Sequence, residues 1–198
     1  MANIHSFHSV GDSIIKYLRN LYPVSDENMP TCQFQLLSSG DLKVDMGDDT
    51  VLTIYIYRVT YNEFLRNSVV PKLSGKSIRP LSLDLHFMVT IWTDSAVAEH
   101  TICAWVMQQL HEHPILDVSS LTPDGGWETG DVVQIVPEEL SNEDLMRIWD
   151  ALAPDYRLSV SYTARSIRID PEEVAGIPPV VATRFDYSED IEKEAVND

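Results

Sequence analysis

The stretch from Pro80 to Pro114 constrains the fold more than any other part of the chain. Residues 81–92, LSLDLHFMVTIW, alternate between two sets of side chains, one of them entirely apolar, which is typical of a β-strand with one buried face. Residues 93–95, TDS, then supply oxygens that can cap a helix, and apolar residues recur at three- and four-residue spacing until Pro114. We therefore predict a long strand followed directly by an amphipathic helix.

The other segments predict an α+β domain, with a mixed, largely antiparallel sheet of long strands flanked by helices. Apolar residues at helical spacing predict a first helix from about Ser6 to Tyr22, and the pair Ser141 and Asp144 predicts the capped start of a short helix that Pro154 ends. Alternation predicts strands at 32–38, 51–61 and 156–169, with a further short strand at 42–46, and the apolar run at 131–136 predicts another. We expect a loop at 67–79, an irregular segment or short hairpin at 115–131, and helices on one side of the sheet.

Charge divides the 198 residues into a domain at 1–170 and an acidic tail at 171–198. The net charge of −17 disfavours nucleic acid and anionic lipid as partners, because both would repel an acidic surface. Residues 170–198 carry nine Asp or Glu against Arg184 and Lys193. Two interpretations of the tail stay open: a disordered solubilising end, or a peptide that orders on a basic partner. No window resembles a signal peptide or a membrane span.

The residues that could support catalysis or metal binding do not form a recognisable motif. His111 and His113 are separated by one residue, which suits a helix end better than a metal site, and His100 lies too far from them along the helix. Phosphate-binding glycine motifs and cysteine pairs are absent, and Cys32 and Cys103 are expected to be reduced packing residues. The Glu138–Glu139 pair is expected to be a solvated turn. We therefore predict no enzymatic activity, no cofactor and no metal.

One acid–base pair remains conceivable among the polar residues of the long strand. Asp84 and His86 could pair across a sheet, but nothing in the sequence brings them together.

Three segments, in this order, resemble the tail-terminator or cap proteins of extracellular contractile injection systems, including those of the antifeeding prophage and the Photorhabdus virulence cassettes. The segments are LTIYIYRVTYNEFLRN, PLSLDLHFMVTIW followed by EHTICAWVMQQLHEHPIL, and VQIVPEELSNEDLMRIWDALAPDYRLSVSYTARSIRID. The likeness runs from about residue 5 to residue 170. It implies a fold similar to that of phage tail terminators and a structural role in assembly.

The resemblance implies a homohexameric ring that caps the inner tube and engages the contractile sheath, so that growth stops and particle length is fixed. It implies cytoplasmic assembly, in a tail-like particle that is later released or anchored, without membrane insertion by this chain. We expect one end of the 81–92 strand, near Ser82 or near Trp92, to be where a neighbour docks. We also expect either 51–61 or 156–169 to be an edge strand that exchanges with the sheath. The residues predicted at subunit, sheath or tube interfaces are Tyr55, Tyr57, Arg58, Tyr61, Trp92, Arg157, Tyr162 and Arg165.

Two alternatives stay open at this stage. The aromatic residues of the predicted interface could instead lie under helices of the same chain. The protein could also be a monomeric assembly adaptor or cargo chaperone that acts through its acidic tail.

Overall fold

The computed structural model describes residues 2–41, 49–65, 69–71, 77–152 and 154–171, and this part of the chain contains three α-helices and eight β-strands. The α-helices are α1 (Ser6–Leu21), α2 (Ala96–Glu112) and α3 (Asn142–Ala151), and a 3-10 helix spans Pro123–Gly125. The strands are β1 (Gln33–Leu37), β2 (Val51–Tyr61), β3 (Val70–Pro71), β4 (Ser77–Ile78), β5 (Leu81–Trp92), β6 (Ile115–Asp117), β7 (Val132–Pro137) and β8 (Ser159–Ile169).

The helix starts follow the capping signals in the sequence. The Ser95 hydroxyl accepts a hydrogen bond from the Ala98 amide at 3.4 Å at the start of α2. At the start of α3, the Ser141 hydroxyl accepts from the Asp144 amide at 3.1 Å and donates to the Asp144 carboxylate at 2.7 Å. The amides in the first turn of a helix have no acceptor within the helix, and the Ser95 and Ser141 hydroxyls supply one. The predictions of all three helices are confirmed.

Six strands form one mixed sheet in the order β1-β2-β5-β8-β7-β6. β1 runs parallel to β2, and every other neighbouring pair in this sheet is antiparallel. The predicted fold class is therefore confirmed. The segment predicted as a loop at 67–79 contains instead the short antiparallel pair β3 and β4, and the strand predicted at 42–46 lies outside the described residues.

Neither strand predicted as an edge lies at the edge of the sheet. β2 lies between β1 and β5, and β8 lies between β5 and β7. Among the described strands, the edges are β1 and β6, because β8, the last strand, lies in the centre of the sheet. The prediction that 51–61 or 156–169 is an edge strand is wrong for this reason, although β1 pairs with only the first half of β2.

The larger core cluster lies between one face of the sheet and helices α1 and α2. Leu18 from α1, Ile102 from α2, and Leu52, Leu85 and Ile167 from the strands are all fully buried in this cluster. Burial of such side chains contributes about 1.5–3 kcal/mol each to the free energy of unfolding. This layer is the one that the apolar half of the β5 pattern predicts.

A second core cluster covers part of the opposite face of the sheet, under α3. Trp149 of α3 packs against Trp92 of β5, with ring centroids 6.1 Å apart, and against Tyr156, at 5.7 Å. Met88 belongs to the same cluster. Both faces of β5 are therefore buried, and the expectations of one buried face and of one-sided helix cover are wrong. The cause is α3, which the spacing of polar and apolar residues in β5 does not indicate.

Two β-bulges change the direction of side chains near one end of the sheet. In β2, Tyr57 is an extra residue between the pairs that Ile56 and Arg58 make with β5. In β8, Arg165 and Ser166 together lie opposite Asp84, and Ser166 adopts a positive φ of 69°. A bulge of this kind bends the strand and redirects the side chains beyond it.

The connector before β7 is anchored to α1 through a small buried hydrogen-bond network. The Ser9 hydroxyl lies 2.8 Å from the Thr122 hydroxyl, and the indole N–H of Trp127 donates to Ser9 at 2.8 Å. Ser13 accepts from the Thr122 amide at 2.8 Å. The irregular segment that follows α2 is thus fixed in place by α1, the first helix of the chain.

Candidate functional site

A cluster of polar side chains centres on Glu138, on the face of the sheet that α3 only partly covers. The Nδ1 atom of His86 lies 2.9 Å from both carboxylate oxygens of Glu138. The Tyr57 hydroxyl donates to the carboxylate at 2.8 Å, and the Arg58 guanidinium donates to it at 3.1 Å. Ser161 donates a further hydrogen bond at 3.1 Å. We call these five residues the Glu138 cluster.

Strand register and a bulge bring the members of the Glu138 cluster together. The extra residue at Tyr57 lets both Tyr57 and Arg58 reach the same carboxylate. Glu138 directly follows β7, and its amide donates to the Ser161 carbonyl at 3.0 Å. On the other side of His86, Nε2 lies 2.9 Å from the Thr60 hydroxyl. Three strands, β2, β5 and β8, and the residue that follows β7 therefore contribute to the cluster.

The surroundings keep Glu138 ionised and Tyr57 protonated. Burial raises the pKa of Glu138, but hydrogen bonds from His86, Tyr57 and Ser161, together with the charge of His86, outweigh burial and hold that pKa below its ordinary value. Burial is also the main cause that raises the pKa of Tyr57 to about 12. Every oxygen of the carboxylate is engaged, so the arrangement fastens the β7–α3 connection to the sheet and offers no free base to a substrate.

The Glu138 cluster corrects two interpretations of the sequence. The carboxylate that pairs with His86 is Glu138 and not Asp84, which accepts hydrogen bonds from the Asn62 side chain and the Ser166 amide. Glu138 is mostly buried, so its expected place in a solvated turn is wrong, whereas Glu139 is exposed. The one available signal was that Glu138 directly follows an apolar strand.

The histidines of α2 do not come together. His100, His111 and His113 are exposed, and His113 meets Tyr17 edge to face at 5.8 Å. Across the described ranges, no group of three His, Cys, Asp or Glu side chains is placed to hold a metal ion. Both cysteines are free thiols, and burial raises the pKa of each. In the same part of the chain, no helix is long and apolar enough to cross a bilayer.

Exposed apolar side chains gather where β2 and β5 extend beyond β1. Tyr61 is 65% exposed and Phe64 is 93% exposed, and Val59 and Leu81 are each close to half exposed. We call these four residues the tip patch. Tyr61 and Leu81, with Pro80 and Ser82, line an open groove of about 300 Å³.

Hydrogen bonds of Asn62 fix the turn that carries Phe64. The Asn62 side-chain nitrogen donates to Asp84 at 3.0 Å, and its oxygen accepts from the amides of Phe64 and Leu65 at 3.1 Å and 3.0 Å. The Asn62 amide donates to the Ser82 carbonyl at 3.0 Å. Phe64 is therefore presented to solvent by a fixed turn, which is unusual for a large apolar side chain.

The open edge of β1 lies beside a second groove, of about 480 Å³, between this strand and α1. Arg19 of α1 donates to the Phe34 carbonyl at 2.8 Å, which satisfies one outward-facing group of the edge strand. Asp12 and Asp41 also line the groove. A strand edge of this kind can accept an extended segment of another chain.

The structure separates the eight predicted interface residues into exposed and buried groups. Trp92 is 6% exposed and donates to the Thr53 hydroxyl at 2.8 Å, and Tyr162 is 2% exposed and stacks on Phe87 at 5.7 Å. Neither has surface to offer a neighbour in this conformation. Tyr55 and Tyr57 are partly buried beside α3, and Arg58 is half exposed in the Glu138 cluster. Arg157 donates to the Thr93 carbonyl at 3.2 Å. Tyr61 and Arg165 are exposed.

The sequence and the fold both resemble known proteins. The family described as the Pvc16 N-terminal domain matches residues 9–183. A cryo-EM structure of the PVC sheath/tube terminator of an extracellular contractile injection system, in the extended state, is similar with a TM-score of 0.57 and 16% identity. The tube-terminating cap of the anti-feeding prophage is similar with a TM-score of 0.56 and 17% identity.

These likenesses cover most of this chain but less of the larger proteins. The first comparison covers 97% of this chain and 66% of the PVC terminator, and the second covers 90% of this chain and 60% of the anti-feeding prophage cap. No curated protein sequence matches the chain. At these identities the two structures establish a common fold, and the functions of the whole caps do not follow from them directly.

Proposed function

The chain belongs to the Pvc16 N-terminal domain family, and from this membership we propose that it caps the inner tube and contractile sheath of an injection particle. The family match over most of the chain is the observation that carries the proposal. The fold that the chain shares with a sheath/tube terminator and a tube-terminating cap supports it. A structural role in assembly also agrees with the prediction from the sequence that the protein is not an enzyme.

Six copies form the cap as a closed ring in this proposal. A ring requires two different surfaces on each subunit, because each copy contacts the next one in head-to-tail fashion. The tip patch is one such surface. It lies along β2 about 20 Å from Tyr55, the last residue of β2 that pairs with β1, at ~3.3 Å per residue. Of the predicted interface residues, Tyr61 belongs to the tip patch and Arg165 is exposed in the β8 bulge.

The sheath contact is assigned in this proposal to the open edge of β1. Strand addition needs unpaired backbone groups and room for the added side chains. Among the described residues, β1 pairs with a strand on one side only, and the adjoining groove of about 480 Å³ provides the room. A sheath segment with a basic residue opposite Asp12 or Asp41 would fit this groove best.

The ring would assemble in the cytoplasm and remain in the finished particle. A cap that covers the last disc of the tube leaves no surface for the next disc, so growth stops and the particle length is fixed. The inner tube protein and the sheath protein are thus the proposed partners, together with further copies of the chain itself.

Deletion of the gene from a strain that makes the particles tests this function. We expect negative-stain images to show tubes of variable length and sheaths with an open end, and a plasmid copy of the gene to restore uniform particles. A labelled copy should appear at one end of the purified particles. Tubes and sheaths that stay uniform and closed without the gene would contradict the proposal.

The composition of the particles separates the cap from an assembly adaptor or chaperone. Mass spectrometry of purified particles should detect the chain at a constant ratio to the tube protein. Deletion particles of variable length, combined with wild-type particles that lack the chain, would favour the adaptor.

A further inference from the structure

The tip patch lies in a part of the chain whose charge is opposite to that of the whole. Residues 58–79 carry five Lys or Arg and a single Asp or Glu, whereas the chain has a net charge of −17. The exposed aromatic side chains of Tyr61 and Phe64 therefore belong to a basic stretch of the sequence. Apolar side chains in a basic stretch are suited to an acidic peptide that also carries apolar residues.

Three arginines with no ion-pair partner among the described residues lie at this end of the sheet. Arg79 is exposed and precedes Leu81 by two residues. Arg168 pairs with Ser82 in the register of β5 and β8, on the face of the sheet opposite to Leu81, and lines a pocket with Trp127 and Asp131. Arg165 is exposed in the β8 bulge. The arginines of the Glu138 cluster and of α3 differ, since Arg58 and Arg147 contact Glu138 and Glu143.

The acidic end of the chain leaves the sheet at the same place. Ile169, the last residue of β8, is the register partner of Leu81 in the tip patch. The next residue, Asp170, donates its amide to the Ala2 carbonyl at 3.2 Å. Residues 172–198 carry eight Asp or Glu against Arg184 and Lys193, and they include the apolar sequences IPPVV and FDY.

We propose that residues 172–198 dock on the tip patch of their own chain. Their carboxylates pair with Arg79 and Arg168, and their apolar residues cover Tyr61 and Phe64. Twenty-seven residues can span up to about 90 Å, and attachment beside the patch keeps the segment at an effective concentration on the order of millimolar. In this proposal the basic partner of the acidic tail is the region of the tip patch in the same chain.

Docking within one chain does not depend on the proposed capping function. It is measured on the isolated protein, without tube or sheath. If a neighbouring subunit also uses the tip patch in the particle, the tail must leave first, and docking would then keep isolated copies from associating.

Hydrogen–deuterium exchange of the full-length protein tests the proposal. The comparison variant has all eight Asp and Glu residues of 172–198 changed to Asn and Gln. We expect amides of residues 59–65 and 79–83 to exchange roughly fivefold faster in this variant, as befits the loss of a few exposed ion pairs. About 1 M salt should produce the same acceleration in the wild type, because it shortens the Debye length to ~3 Å.

A pair of charge reversals provides the matched test on the other side of the contact. The double variant R79E/R168E should reproduce the faster exchange, whereas R147E, the same reversal on α3, should not. A synthetic peptide of residues 172–198 should bind the neutralised-tail variant roughly fivefold more tightly than the same variant with R79E/R168E.

Two outcomes would overturn the proposal. One is equal exchange at residues 59–65 in the wild type and the neutralised-tail variant. The other is protection of these residues that increases with protein concentration, which would identify a second copy of the chain as the occupant. If R79E/R168E fails to fold, the neutralised-tail and salt comparisons still decide the question.

Discussion

The His86 ring nitrogen and the Glu138 carboxylate lie 2.9 Å apart and join the centre of the sheet to the start of the α3 connection. His86 is on β5, whereas Glu138 follows β7, and β8 lies between these two strands. The contact therefore spans β8, which also contributes Ser161 to the cluster. The four other members of the Glu138 cluster and Thr163 all converge on one carboxylate, so its loss would leave several buried groups unsatisfied.

Replacement of Glu138 by Gln should lower the free energy of unfolding by about 1–3 kcal/mol, because the amide cannot accept from every donor that the carboxylate satisfies. The exposed neighbour Glu139 provides the matched control, and E139Q should change the free energy by less than about 0.5 kcal/mol. Urea denaturation followed by circular dichroism measures both. Equal values for E138Q and E139Q would show that the cluster does not stabilise the fold.

Acid should weaken the wild-type protein through the same carboxylate. The pKa of Glu138 is held below its ordinary value of 4.5 in the folded chain, so its contribution to stability is complete above that pH and is lost as the pH falls through the folded-state pKa. The free energy of unfolding should therefore fall more steeply below pH 4.5 in the wild type than in E138Q. Parallel pH profiles for the two proteins would contradict this assignment.

The two tryptophans under α3 should respond differently to Phe. Trp92 donates to Thr53 at 2.8 Å, whereas the buried indole nitrogen of Trp149 has no hydrogen-bond partner among the described residues. W92F loses a hydrogen bond and W149F does not, so W92F should cost about 1 kcal/mol more. Thermal denaturation of both variants tests the difference, and a larger cost for W149F would argue against the hydrogen bond as its cause.

Glycine at position 166 should leave stability unchanged or raise it by up to about 1 kcal/mol. Ser166 adopts a φ of 69°, where a side chain is unfavourable and glycine is not. The amide that donates to Asp84 is retained in S166G. The same change at Ser159, on the same strand, should destabilise the protein by about 0.5–1 kcal/mol. Chemical denaturation measures both, and a clear loss of stability in S166G would contradict the prediction.

Alanine at Tyr61 and Phe64 should impair assembly without unfolding the protein. Both side chains are mostly exposed, so Y61A/F64A should change the free energy of unfolding by less than about 1 kcal/mol. In the deletion strain, we expect the double variant to restore far fewer uniform particles than the wild-type gene does. V24A, at another exposed apolar position, provides the control. Full complementation by Y61A/F64A would remove the tip patch from the proposed contacts.

Local patterns predicted the elements well, because capping and alternation depend on residues that are close in the chain. The Ser141–Asp144 cap and the β5 alternation are examples. The alternation in β5 assigns Met88 and Trp92 to the solvent-facing side of the strand, and so it does not predict the second helix layer. In the structure Trp149, which is distant in sequence, covers both residues. The sequence does not predict the partner of His86 for the same reason. The order of the strands in the sheet brings Glu138 close to His86, and the spacing of residues along the chain does not indicate that order.

The position of β8 has a consequence for synthesis of the protein. β8 lies between β5 and β7, and α2, β6, β7 and α3 separate it from β5 along the chain. A nascent chain that ends before Ser159 has β5 paired on one side only, and its apolar positions lack Tyr162, Ala164 and Ile167. Closure of the sheet must therefore wait until nearly the whole described domain has left the ribosome.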